Sequence, residues 1–144
     1  MFSSDFKGGG DGPSIIFNGA GLDELSCVGP ITIIEIQDAK MRQYILDPAE
    51  YGLSRCTVAQ LQGGSAATNA ALLTASLQGQ PGPIADTLVL NAGVANYLYG
   101  VTDTIGQGIE VARLAHEQGA GFRVLEQLVA TTRSLPTLQE TNHA

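Results

Sequence analysis

Residues 31–46 read ITIIEIQDAKMRQYIL, and this stretch decides the fold of the first part of the chain. Residues 31–36 have the density of β-branched side chains that is typical of a strand buried on at least one face. Residues 43–46 are predicted as its antiparallel partner across a turn at residues 38–39. A shorter apolar run, 14–17, predicts another strand. The chain therefore opens with about three strands, which make at most a partial sheet.

Downstream of Arg55 the spacing of the apolar residues changes from two to about 3.6, which predicts four helices. They are expected over 65–77, from Pro83 to a stop at Gly100, from a capping box at Thr104 and Gln107 to Gly119, and over 121–134. The side chains predicted to face inward are, helix by helix, Ala66, Ala70, Leu73 and Leu77; Ile84, Leu88, Ala92, Ala95 and Leu98; Ile105, Ile109 and Ala112; and Phe122, Leu125 and Val129.

The order of strands first and helices second indicates an α/β fold, with about three strands followed by about four helices. This order suits the closing part of a larger α/β domain better than a doubly wound domain, in which strands and helices alternate. A length of 144 residues fits one domain. Residues 1–13 are polar and glycine-rich and are predicted as a flexible lead-in. Residues 14–134 are predicted as the partial domain and residues 135–144 as a loose tail.

The composition narrows the classes of function. Seven basic against 14 acidic residues give a net charge of -7, which argues against nucleic-acid binding. A hydrophobic content of 44% with 15% charged residues argues for a packed core. We expect no secretory signal, and no apolar window reaches the roughly 18 residues that span a bilayer. Cys27 and Cys56 match no metal-binding spacing and are predicted as buried free thiols of a reducing compartment, although a single disulfide stays open.

The acidic pair in residues 21–26, GLDELS, is the first candidate for chemistry. Asp23 and Glu24 are adjacent carboxylates in a glycine-rich loop that follows a predicted strand. Such a pair can bind a hard divalent cation such as Mg²⁺, which takes one or two carboxylates together with substrate phosphate. The alternative is a solvated acidic loop, because acidic pairs are common on protein surfaces.

Other polar residues offer weaker candidates. Residues 8–12, GGGDG, resemble a phosphate-binding loop, but no strand precedes them and no helix follows, which favours a linker. His116 lies at no spacing that defines a catalytic triad or a zinc site. Asn69, Asn91 and Asn96 lie on apolar helices, where an amide usually satisfies backbone groups. His116 and the three asparagines are therefore predicted to have structural roles.

Several strings occur in one order at ordinary spacing and make the pattern more specific than any one of them. They are GLDELS at 21–26, Gly29-Pro30, YILDPAEYGL at 44–53, LQGG at 61–64, Asn69-Ala70 and LNA at 90–92. Together they resemble the C-terminal part of the anthranilate phosphoribosyltransferase family, which belongs to the nucleoside-phosphorylase-like glycosyltransferases of family 3. The resemblance covers about residues 15–134.

The resemblance implies an enzyme activity, a cofactor and a pair of substrates. Members transfer a phosphoribosyl group from phosphoribosyl pyrophosphate to the amine of anthranilate in tryptophan biosynthesis and release pyrophosphate. Asp23 and Glu24 match the family's Mg²⁺ site on the pyrophosphate side of the donor. The metal neutralises charge on the leaving pyrophosphate, so little acid or base chemistry is required.

The sequence also departs from the family pattern. The family's N-terminal helical domain, its glycine-rich donor loop and its anthranilate-binding residues have no match here. Phe17 and Asn18 lie where the family has a histidine, and Ile31 replaces the usual threonine after Gly-Pro. We therefore expect a truncated chain that is inactive alone. Its expected protein partner is a missing N-terminal half or a second copy of the chain. Its expected location is the cytoplasm, or the chloroplast stroma if the source is a plant or alga.

Two alternatives to the transferase remain. One is a non-catalytic interaction module that kept this fold and lost the chemistry, for which the net charge of -7 favours a protein partner over nucleic acid. The other is a relative of the pyrimidine phosphorylases, which ranks lower because the Asp-Glu motif belongs to the anthranilate branch.

Overall fold

A computed structural model describes residues 13–135. It begins with three strands, β1 (Ser14–Asn18), β2 (Ile31–Gln37) and β3 (Lys40–Leu46), which form an antiparallel sheet in the order β1-β2-β3. The three predicted strands are confirmed, as is the antiparallel pairing predicted between residues 31–36 and 43–46. The division into lead-in, domain and tail stays a prediction, since residues 1–12 and 136–144 lie outside the described part.

The turn between β2 and β3 is as tight as predicted. Asp38 and Ala39 both have positive φ angles, of 50° and 59°. Two successive residues with positive φ match the right-handed twist of the strands that they connect. The register that follows pairs Ile33 with Tyr44 and Glu35 with Arg42, so these four side chains share the inner face of the sheet.

The helices follow the sheet. A 3-10 turn (Pro48–Tyr51) and a single-turn helix, α1 (Val58–Leu61), precede four longer helices, which are α2 (Ala66–Leu77), α3 (Pro83–Leu98), α4 (Ile105–Glu117) and α5 (Ala120–Ser134). The four predicted helices are present, and the predicted α/β class is confirmed. Ser65 and Thr104 cap α2 and α4 by accepting hydrogen bonds from the backbone N–H groups of Thr68 and Gln107. None of the described helices is long and apolar enough to cross a membrane.

The inward faces of three helices differ from the prediction. On α3 the buried residues are Ala85, Val89, Leu90, Gly93 and Val94. The predicted stripe is wrong there: Ala92 and Ala95 are exposed, and Ile84, Leu88 and Leu98 are only partly buried. α3 is apolar almost all round, so periodicity alone does not select the face that packs.

The predicted face of α2 is also wrong. Ala66, Ala70 and Leu73 are exposed, and only Leu77 is partly buried. The elements nearest to α2 in the described part meet it near its C-terminal end, where Leu77 lies against Gly121 and the backbone of Ser76 lies beside His116. On α5, Phe122 and Leu125 are half-buried but Val129 is exposed.

One hydrophobic core joins the sheet to α3 and α4. Ile105, Ile109 and Ala112 of α4 are buried as predicted. The buried members of the core are Leu25, Cys27, Ile31, Ile33, Leu46, Leu53, Cys56, Val89, Leu90, Val94, Ile105, Ile109 and Ala112. Both cysteines are free thiols in this core, which agrees with their prediction as buried thiols.

Candidate functional site

The loop between β1 and β2, residues 19–30, carries the predicted acidic pair and is called the acidic loop below. It begins with a turn in which the N–H of Leu22 donates to the carbonyl of Gly19 at 3.2 Å. Ala20 and Gly21 take positive φ angles there. Asp23 and Glu24 follow and are exposed, whereas residues 25–27 are buried. The loop therefore places two carboxylates in solvent directly before a segment fixed in the core.

Two hydrogen bonds from distant parts of the chain anchor the acidic loop. The side-chain amide of Asn91, on α3, donates to the carbonyl oxygen of Leu25 at 2.7 Å and to that of Thr87 at 2.8 Å. The backbone N–H of Cys56 donates to the carbonyl oxygen of Cys27 at 3.1 Å. The structural role predicted for the Asn91 amide is thereby confirmed, and the two carboxylates directly precede a segment that is held in the core.

A cleft of about 450 Å³ opens beside this segment. Glu24 lines it together with mostly aliphatic side chains and with the hydroxyl-bearing Ser26 and Thr87; the remaining lining residues are Leu22, Leu25, Leu61, Ile84, Leu88 and Asn91. The cleft thus combines an apolar wall with a carboxylate at one side, an arrangement that suits a small ligand with one charged or metal-bound end.

The acidic loop fits a magnesium ion in the chemistry of its donors. Asp23 and Glu24 offer hard carboxylate oxygens, which Mg²⁺ prefers. Within residues 13–135 no group of three or more His, Cys, Asp or Glu side chains could hold a metal. Mg²⁺ usually keeps several waters and is bound through one or two carboxylates plus phosphate oxygens. A two-carboxylate site that leaves positions for a phosphorylated ligand is consistent with that preference.

Loss of the Asn91 amide should loosen the acidic loop. We expect Asn91→Ala to lower the free energy of unfolding by about 1–2 kcal/mol, because the carbonyl of Leu25 loses its donor in a partly buried position. Amide hydrogen exchange of residues 25–27 should become roughly tenfold faster or more. Asn96→Ala is the matched control, since its amide donates to Gly108 instead, at 3.3 Å. Equal exchange in the two variants would show that Asn91 does not hold the loop.

The other polar residues weighed from the sequence have structural contacts. Asn69 accepts a hydrogen bond from the N–H of Gly64 at 2.7 Å, ahead of α2. The Nε2 atom of His116 lies 2.8 Å from the carbonyl oxygen of Ser76 and joins α4 to α2. The predicted structural roles of Asn69, Asn96 and His116 are confirmed.

A buried carboxylate that the sequence reasoning missed lies on β2. The side chain of Glu35 is 3% exposed and accepts three hydrogen bonds. The Tyr97 hydroxyl donates to it at 2.6 Å, the Tyr44 hydroxyl at 2.8 Å and the Arg42 guanidinium at 3.0 Å. Glu35 and these three donors, called the Glu35 cluster below, tie α3 to the sheet and line a second cleft of about 540 Å³.

The charges of the Glu35 cluster follow from its hydrogen bonds. Burial by itself would raise the pKa of Glu35, but the hydrogen bonds from Tyr97, Tyr44 and Arg42 outweigh it and hold the pKa below its usual range. The hydrogen bond to Glu35 raises the pKa of Tyr97, and burial with the same kind of bond raises the pKa of Tyr44. The cluster is therefore an ionised carboxylate held by two neutral hydroxyls and one cation.

The geometry defines an α/β domain with an anchored acidic loop beside a cleft. A family model described as "Glycosyl transferase family, a/b domain" matches residues 5–122. The chain belongs to this glycosyltransferase family, and the resemblance drawn from its motifs is confirmed.

The similar proteins are anthranilate phosphoribosyltransferases. The enzyme of Laribacter hongkongensis is 44% identical over 115 residues, which are 80% of this chain and 34% of that protein. The enzyme of Chlamydia felis is 38% identical over 122 residues, which are 85% of this chain and 36% of that protein. The chain thus spans about a third of the length of the curated relatives it matches.

Solved structures give the same result for the fold. The anthranilate phosphoribosyltransferase of Thermus thermophilus matches with a TM-score of 0.76 at 34% identity, over 85% of this chain and 36% of that one. The Saccharomyces cerevisiae enzyme in complex with PRPP and Mg matches with a TM-score of 0.70 at 26% identity, over 84% of this chain and 35% of that one.

Proposed function

We propose that this chain carries the magnesium-binding part of an anthranilate phosphoribosyltransferase, which transfers a phosphoribosyl group from phosphoribosyl pyrophosphate to anthranilate. The observation that carries the proposal is the exposed Asp23–Glu24 pair on a loop that Asn91 and Cys56 anchor to the core. The relatives solved with PRPP and Mg support the identity of donor and metal, and the names of the curated relatives support the reaction.

The proposed role of the acidic loop is to hold the donor's leaving group through a metal. Asp23 and Glu24 would hold Mg²⁺, which neutralises the negative charge that develops on pyrophosphate as it departs. Their exposure leaves room for phosphate oxygens, and the buried residues 25–27 fix the direction from which the carboxylates approach. The ribose needs no general base from this chain to lose pyrophosphate, so the contribution of these residues is electrostatic.

Removal of both carboxylates should weaken the binding of Mg²⁺ and of its spectroscopic substitute Mn²⁺. We expect weak binding by the wild-type chain, with a Kd in the millimolar range, and at least about tenfold weaker binding by Asp23→Asn/Glu24→Gln. Because both substitutions keep side-chain size, the fold should remain. The measurement is a Mn²⁺ titration followed by proton relaxation, with and without pyrophosphate, and pyrophosphate should tighten binding only when both carboxylates are present.

The matched control is Asp38→Asn/Glu126→Gln, which removes two exposed carboxylates from the β2–β3 turn and from α5. This control changes the net charge by the same amount. If both double variants bind Mn²⁺ equally weakly, the effect is nonspecific electrostatic attraction, and Asp23 and Glu24 do not form a metal site.

We expect no turnover by the 144-residue chain alone, because the family's donor loop and acceptor residues have no match in it. Formation of phosphoribosylanthranilate by the purified chain would overturn that expectation.

A second candidate function is an interaction module, which exposed apolar surface favours. Ile16, Met41 and Ile45 share the outer face of the sheet and are 54%, 71% and 59% exposed, an unusual apolar content for a solvated face. Coexpression with an N-terminal fragment of a relative in a tryptophan auxotroph separates the two functions. Growth that requires Asp23 and Glu24 supports the transferase, whereas complex formation without growth supports the module.

A further inference from the structure

Cys27 and Cys56 lie next to each other in space although they are 29 positions apart in the chain. The N–H of Cys56 donates to the carbonyl oxygen of Cys27 at 3.1 Å. With standard backbone bond lengths on either side, this one bond keeps the two Cα atoms within about 7 Å of each other, the separation beyond which two cysteines cannot be bridged without backbone movement. Both side chains belong to the same buried core, and both are free thiols.

We propose that Cys27 and Cys56 form a redox modification site, in which a low-molecular-weight disulfide such as oxidised glutathione converts the two thiols to an intramolecular disulfide. The bond would join the end of the acidic loop covalently to the segment before α1. A hydrogen bond already joins these two segments at the same residues, so the disulfide would reinforce a contact that the reduced fold already makes.

The thiol–disulfide exchange takes place in two steps. Cys56 is the more exposed thiol, 8% against 0% for Cys27, and is the first to react. Its thiolate attacks one sulfur of the external disulfide, forms a mixed disulfide and releases one small thiol. The thiolate of Cys27 then attacks the Cys56 sulfur and releases the second small thiol. The two protein thiols lose two electrons and two protons, and the external disulfide is reduced to two thiols.

The surroundings make this reaction slow at neutral pH. Burial, with help from Asp86 and Cys56, raises the pKa of the Cys27 thiol to about 11, while the Thr87 hydroxyl and Arg55 act in the opposite direction. Burial and Asp86 also raise the pKa of Cys56. Asp86 on α3 and Arg55 next to Cys56 are thus the charged groups that act on the pair. The thiolate fraction and the rate should both rise nearly tenfold per pH unit between about pH 7 and pH 9.

The test equilibrates the full chain with glutathione mixtures, first under native conditions and then in concentrated urea, and measures the products by mass spectrometry after alkylation. We expect a monomeric chain that has lost two hydrogens, with peptides containing Cys27 and Cys56 linked. The native chain should reach half oxidation at a ratio of oxidised to reduced glutathione at least roughly tenfold lower than the unfolded chain. The oxidised protein should melt about 10 °C higher, and a reducing agent should reverse the shift.

Single-cysteine variants supply the control. Cys56→Ala and Cys27→Ala should take up at most one glutathione and show no rise in Tm on oxidation. If either variant is unstable, the comparison of native and unfolded wild-type chain still decides the question. The proposal is overturned if the native chain yields mixed disulfides or disulfide-linked dimers instead, or if it needs as much oxidised glutathione as the unfolded chain.

Discussion

Replacing Glu35 with alanine should lower the free energy of unfolding by about 2–3 kcal/mol. The carboxylate accepts hydrogen bonds from Tyr97, Tyr44 and Arg42, and its loss leaves the two tyrosine hydroxyls without their acceptor in a partly buried cleft. Arg42 is 67% exposed and can return to water, so it adds little to the cost. Urea unfolding monitored by circular dichroism measures the change.

Two further variants test the origin of this effect. Glu126→Ala removes an exposed carboxylate from α5 and should change stability by less than about 0.5 kcal/mol. Glu35→Gln keeps the shape of the side chain but not its charge, and should cost about 1–2 kcal/mol. If Glu35→Ala proves as stable as Glu126→Ala, the cluster does not hold α3 to the sheet.

The pH dependence supplies an independent check on the Glu35 cluster. The pKa of Glu35 is lower in the folded chain than its usual value of about 4.3. Its ionised form therefore stabilises the fold above that value, and the contribution is lost as the pH falls through the folded pKa. The stability difference between wild type and Glu35→Gln should accordingly shrink below about pH 4. A difference that stays constant down to pH 3 would contradict an ionised Glu35.

The parts of the fold that sequence predicts well are those set by neighbouring residues. The β2–β3 pairing follows from a β-branched run and a two-residue turn, and α4 follows from the Thr104 cap and a one-sided apolar stripe. The packing face of α3 is set instead by the elements around it. An apolar helix offers several equivalent faces, so the one that packs depends on tertiary contacts.

The same distinction applies to the candidate site. Asp23 and Glu24 are adjacent in the chain, so a motif reveals them. Glu35 stands in the strand ITIIEI, where alternation already places it on the same face as Ile31 and Ile33. This inward-facing position is the feature of the sequence that indicates a buried carboxylate. Its partner Tyr97, however, is 62 residues away, and no spacing rule predicts which hydroxyl will reach a buried carboxylate.

A methyl group at Gly108 should have the largest effect of any small substitution in this fold. A Cβ there would overlap the carbonyl oxygen of Gly93, so α3 and α4 touch through their backbones. The reciprocal position is as close, since a Cβ at Gly93 would lie 2.6 Å from the Cα of Ile109. Neither contact involves a flexible side chain that can turn away. We expect Gly108→Ala to cost at least about 3 kcal/mol and to lower the Tm by 10 °C or more, measured by thermal unfolding.

Gly121→Ala is the matched control, because it makes the same change inside helix α5. Its Cβ would meet the Cδ2 methyl of Leu77 at 2.9 Å, and a leucine methyl can move away through a side-chain rotation. Alanine also favours the helix by up to about 1 kcal/mol over glycine, so the net change at Gly121 should be near zero. A stable Gly108→Ala variant, with a Tm close to that of Gly121→Ala, would show that α3 and α4 can move apart without loss.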